Sequence, residues 1–81
     1  MTQRITNKHL EAKIAIVNGL LGYEDPAWNT VGAVHLYGAY GGTGVHRTMN
    51  EQGGVEALFP LGTKRETATF LDGMITGLRT V

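Results

Sequence analysis

Gly38-Ala39-Tyr40-Gly41-Gly42-Thr43-Gly44 is the stretch on which the fold turns, because it divides an apolar, strand-like segment from one with helical spacing. Upstream, Thr30 to Tyr37 reads as a strand. Val31, Ala33 and the ring of His35 alternate with Gly32, Val34 and Leu36, so apolar groups fall on both faces, which suits a strand buried on both sides or facing a partner subunit. Downstream, Gly44 to Glu51 reads as a short helix with Thr43 placed to cap it and Val45 and Met49 at i and i+4. The stretch is then a strand-to-helix turn. Glycine there permits positive φ and lets a ligand approach the backbone closely. Several amides would point the same way at a helix N-terminus, an arrangement that attracts phosphate or carboxylate. A tight structural connection explains the glycines equally well. The spacing is neither that of a P-loop, which needs Gly-Lys-Ser/Thr, nor that of the dinucleotide fingerprint.

Outward from this turn, the N-terminal side predicts a helix from about Asn7 to Leu21. Leu10, Ile14, Val17 and Leu21 form one apolar stripe, Thr6 reads as the N-cap, and Ile5 and Leu10 sit at staple spacing. Gly22 ends it. Residues 23–29 are a loop in which Pro26 disfavours helix at Asp25 and Trp28 is placed to cover the edge of the core. On the C-terminal side, Asn50 through Gly54 end the short helix, Val55 to Phe59 reads as a second strand terminated by Pro60, and Thr63-Lys64-Arg65-Glu66 is a capping box. That box opens a helix to about Arg79. Gly73 and Gly77 inside it each cost about 1 kcal/mol relative to alanine. Either a subunit contact offsets that cost or the weak propensity is tolerated. The expected fold is a small α+β domain over residues 1–81, with three helices and a two-stranded or oligomer-extended sheet.

Composition narrows the function. A chain of 81 residues buries about 60% of its unfolded surface and is marginal alone, and with no cysteine it has no disulfide or thiolate zinc site. A homo-oligomer is expected. There is no apolar run long enough to span a membrane and no leader, so the protein is expected to stay in the cytoplasm in which it is made. Seven basic and seven acidic residues cancel, which gives little for bulk nucleic-acid binding.

The residues that could bind a ligand cluster around the glycines. Tyr40, with Gly41, Gly42 and Thr43 beside it, has little local cover, and its phenol could stack on a base or plug a core. Arg47 and Arg65 suit phosphate bidentately, with Lys64 adjoining, against the alternative of ordinary solvated charge. Asn50 carries a donor and an acceptor on one amide, as a base edge requires, and is equally a helix terminator. Catalytic readings are poor: the chain has neither cysteine nor serine, and His9, His35 and His46 are too scattered for a metal motif. His35 reads as a hydrogen-bonded core residue. No enzyme activity and no cofactor are expected.

The order Ile5-Thr6…Leu10-Glu11-Ala12-Lys13, His35-Leu36-Tyr37-Gly38-Ala39-Tyr40-Gly41-Gly42, Met49-Asn50-Glu51-Gln52-Gly53-Gly54-Val55 and Thr63-Lys64-Arg65-Glu66 resembles a group of small bacteriophage proteins, over nearly the whole chain. It is also similar to the anti-Thoeris phage proteins that sequester cyclic ADP-ribose isomers, some of which hold cyclic oligonucleotides. The chain is shorter than typical members of that family. The resemblance implies an oligomer in the host cytoplasm that binds a small phosphorylated nucleotide without cleaving it. Tyr40 would then stack, Asn50 would meet the base edge, and Arg65, with Arg47, would hold phosphate. A small phage protein that inhibits or redirects a host protein is the alternative.

Overall fold

The computed structural model describes residues 5–24, 26, 27 and 29–80. Its elements run α1 (Asn7–Leu20), β1 (Val34–Ala39), β2 (Gly42–Thr48), β3 (Val55–Gly62) and α2 (Lys64–Arg79). The three strands form one antiparallel meander in the order β1-β2-β3. The expectations for Asp25 and Trp28 lie outside the described residues.

The expected inventory of three helices and two strands is therefore overturned: the described residues form two helices and three strands, and the segment from Gly44 to Glu51 is strand as far as Thr48 and enters a turn beyond it, with no helix. The cause lies in the turn itself. Tyr40 has φ 52° and Gly41 φ 77°, two successive left-handed residues between Ala39 and Gly42, which pair across the hairpin. Positive φ at both central positions is the mark of a type I′ turn, whose twist joins adjacent antiparallel strands. Once the chain reverses there, β2 gains a neighbour on each side, and its β-branched Thr43, Val45 and Thr48 suit a sheet. The helical spacing of Val45 and Met49 has no structural counterpart: Val45 is fully buried and Met49 is 45% exposed. Thr43 caps no helix.

Two strand limits move as well. β1 begins at Val34 rather than Thr30, because Ala33 N–H bonds Thr30 O and Gly32 turns the chain at φ 91°. β3 continues through Pro60 to Gly62 rather than stopping at Phe59. Proline is tolerated because β3 is an edge strand and its pairing with β2 is shifted between Thr43 and His46. Gly44 lies under this irregularity. A Cβ there would stand 2.7 Å from Phe59 O.

Both helix starts follow the sequence. Thr6 caps α1 by accepting from His9 N–H, and His9 Nδ1 accepts in return from Thr6 N–H. Thr63 and Glu66 cap α2 in the same reciprocal way. Gly22 turns the chain after α1 at φ 93°. The helices pack on each other, α1 over β1 and α2 over β2 and β3. Leu10, Val17, Val34, Val45 and Leu71 fill the space between the layers, each 1% exposed or less. Lys13 Nζ pairs with Asp72 across the helix pair. On the opposite face of the sheet Tyr37 stacks on His46, ring centroids 4.2 Å apart.

Candidate functional site

The hairpin tip and the start of α2 meet at one end of the molecule. The side chain of Thr43, just inside the tip, lies 2.6 Å from Thr67 Oγ1, and Thr67 Oγ1 is also 3.1 Å from Thr43 O and 3.0 Å from Thr63 O. Both hydroxyls are buried, so these bonds tie β2 to α2 in a dry setting. A Cβ on Gly42 would lie 3.2 Å from Gly62 O, which leaves Gly42 and Gly62 in close backbone approach. Tyr40, Gly41, Gly42, Thr43, Lys64 and Arg65 thus gather at this end.

Arg47 and Asn50 do not join them. Arg47 sits five residues further along β2 than Gly42, a run of about 16 Å at strand spacing. Its Nη2 is 3.4 Å from Glu56 Oε1 on the facing residue of β3, so the guanidinium serves a cross-strand ion pair. Asn50 opens the β2–β3 turn. Its Oδ1 accepts from Gln52 N–H at 3.1 Å and Gly54 N–H at 2.9 Å, and this asparagine shapes the turn that Gly53 completes at φ 95°.

The gathered end has a feature that the sequence concealed. Phe59 of β3 and Phe70 of α2 stack with centroids 5.1 Å apart and planes inclined by 28°. Together with Arg65, Glu66 and Thr69 they line an open, largely apolar hollow of about 550 Å³. Gly62 abuts it, since a Cβ there would be 3.2 Å from the Phe59 ring and 3.1 Å from Glu66 Oε1. Phe59 and Phe70 are eleven residues apart, and only the β3–α2 corner brings them together.

The electrostatics of the hollow come from its rim. Lys64 and Arg65 are exposed on the first turn of α2 and form no ion pair among the described residues. Glu66 is held to the cap: the Thr63 N–H first, and the Thr63 side chain second, lower its carboxyl below the usual range. Its charge therefore persists at the helix N-terminus. Tyr40 is fully exposed at the tip. Thr43 is buried, and its hydroxyl is engaged by Thr67.

His35 departs from its expected role, because its Nε2 is buried and has no hydrogen-bond partner among the described residues. The described residues hold no group of three or more metal-ligating side chains, and none of their helices is long and apolar enough to cross a membrane. An added Cβ on Gly73 or Gly77 would meet nothing within 4 Å, so no close backbone approach inside the chain accounts for either.

No protein-family model matches the chain, and no curated protein or solved structure does.

Proposed function

We propose that this chain binds a small phosphorylated nucleotide in the hollow at the β3–α2 corner and holds it without cleaving it. The observation that carries the reading is the stacked Phe59–Phe70 pair with Arg65 at its rim. A base has an apolar π-face that stacks on aromatic rings, and such stacking contributes about 1–3 kcal/mol per base. A guanidinium matches two phosphate oxygens at once. Lys64 adds a second positive charge, and Tyr40 at the neighbouring tip supplies a further ring. Glu66 uses one carboxylate oxygen on Thr63 and leaves the other to accept from a ribose hydroxyl or an exocyclic amine.

Resemblance to phage anti-defence proteins supports a purpose for such binding: withholding a cyclic ADP-ribose isomer or a cyclic oligonucleotide from a host defence effector in the host cytoplasm. Sequestration requires affinity and abundance rather than turnover. The test is a thermal-shift series with ADP-ribose isomers, cyclic di- and trinucleotides and plain ADP. A ligand at 100 times its Kd adds about 2.7 kcal/mol, a shift of several degrees for a domain of this size. The bound molecule should be recovered intact after denaturation. Arg65→Ala should remove the shift, and a shift that survives this change would sink the phosphate contact.

A second reading, a protein that inhibits or redirects a host protein, is favoured by one observation. Ile16 and Leu20, one turn apart on α1, and the C-cap residue Leu21 are each 40–41% exposed. No shift with any nucleotide would favour this reading, and co-purification from infected cells would then be the next step.

A further inference from the structure

The two edges of the sheet are unlike. β3 carries Pro60, which offers no N–H, and its ladder with β2 is broken by register shifts. Such features blunt an edge against further pairing. β1 has neither: its register with β2 is unbroken from Val34 to Ala39, and the strand Val-His-Leu-Tyr-Gly-Ala contains no lysine, arginine, aspartate or glutamate.

The direction of the β1 peptide groups is fixed by Asn18. Its Nδ2 donates to Val34 O at 3.0 Å, and its Oδ1 accepts from Val34 N–H at 2.8 Å. The N–H and C=O of Val34 therefore point away from β2. In an antiparallel ladder this direction alternates with each residue. Leu36 and Gly38 accordingly turn their N–H and C=O to the open side, whereas His35, Tyr37 and Ala39 bond β2. Among the described residues nothing takes up the Leu36 and Gly38 groups. Beside them a groove of about 330 Å³ runs between β1 and α1, flanked by Glu11, Ala15, Asn18 and Pro26. On the α1 side of this groove Ala15 is the one small side chain, between Glu11, Ile14 and Asn18.

We propose that this edge pairs antiparallel with β1 of a second copy, about a two-fold axis at Tyr37, so that two three-stranded sheets become one. The edge is complementary to itself in this register. Leu36 of one copy faces Gly38 of the other, and each pair exchanges both hydrogen bonds. Val34 is already closed off by Asn18, which excludes the register centred on Leu36, because that register needs the peptide groups of Val34. Tyr37 then faces its own counterpart in the non-hydrogen-bonded position, where opposed side chains lie closest. It is 41% exposed and already stacked on His46, so the pairing extends that ring stack across the axis. The absence of charge along β1 removes the repulsion that keeps edge strands apart. The second copy is the occupant because the same two residues supply every donor and acceptor on both sides of the axis.

The inference stands apart from the nucleotide hollow, which lies at the β3–α2 corner. Light scattering on size-exclusion fractions over a concentration series tests it, with hydrogen exchange as the residue-level readout. The wild-type chain should dimerise, and the Leu36 and Gly38 amides should lose protection on dilution. Gly38→Pro removes an N–H that faces the open side, so the β1–β2 ladder is retained and the dimer is lost. Tyr37→Glu and Tyr37→Lys should each be monomeric alone, because like charges meet at the axis, and an equimolar mixture should dimerise again. This mixture also guards against a Gly38→Pro chain that fails to fold. A wild-type chain that is monomeric at every concentration would overturn the proposal. So would a Tyr37→Glu chain that remains dimeric, or Leu36 and Gly38 amides that exchange equally fast in dimer and monomer. A dimer that binds no nucleotide would overturn the ligand reading alone.

Discussion

Tyr40 occupies a conformation that its side chain does not favour. An L-residue other than glycine, asparagine or aspartate in the left-handed region carries a penalty of about 1–2 kcal/mol, and the first position of a type I′ turn prefers asparagine for that reason. At φ 52° and with the whole residue exposed, Tyr40 has no contact within the chain to offset the penalty. Tyr40→Asn should therefore stabilise the protein by about 1 kcal/mol in urea unfolding. A gain in stability accompanied by weaker nucleotide binding would mark the ring as a ligand contact, and a gain with unchanged binding would remove it from the site. Gly44 has the opposite dependence. With Phe59 O 2.7 Å from where a Cβ would stand, Gly44→Ala must push β3 away from β2 and should destabilise by about 1–3 kcal/mol, read as a lowered urea midpoint. The need for special backbone in the glycine stretch was legible from composition. The reason for each glycine was not: Gly41 serves the turn, while Gly44 answers to Phe59, a residue with no local connection to it.

Elements whose signals are local were readable, and those whose signals are tertiary were not. The capping box of α2 consists of neighbours, Thr63 and Glu66, and it forms as their spacing requires. β2 has no such self-sufficient signal. Its short segment satisfies a helical i, i+4 pattern and a strand pattern alike, and only the pairing with β1 and β3 decides between them. The same limit hid the hollow, since Phe59 and Phe70 belong to different elements. Acid should act on α2 through Glu66. Its carboxyl is lowered in the folded state by Thr63, so the native state binds fewer protons than the unfolded chain as the pH enters the carboxylate range. The stability it contributes is fully present above the ordinary glutamate range and is lost as the pH falls through the lowered folded value. Comparison of wild type with Glu66→Gln by helical circular dichroism should show a difference at neutral pH that narrows on acidification. A constant difference across that range would mean that the Thr63 cap does not depend on the carboxylate charge.

At the scale of the whole molecule, a chain of 81 residues keeps a small margin of stability, and two interior helix glycines reduce it. Neither Gly73 nor Gly77 has any atom within 4 Å of an added Cβ, and both lie on the exposed side of α2. Alanine at both positions should add about 2 kcal/mol, which for a domain of this size raises Tm by roughly 8 °C or more. This double variant also separates two assemblies. If copies associate through the β1 edge, the outer side of α2 stays free, and Gly73→Ala with Gly77→Ala should raise Tm while leaving the dimer unchanged by light scattering. If copies instead bring α2 backbones together, the added methyl groups stand in the contact, and the same variant should dissociate the assembly and lose the expected gain in Tm. The two outcomes differ in sign for one measured quantity, so melting and mass measurements on a single purified variant decide between the edge of the sheet and the back of the helix.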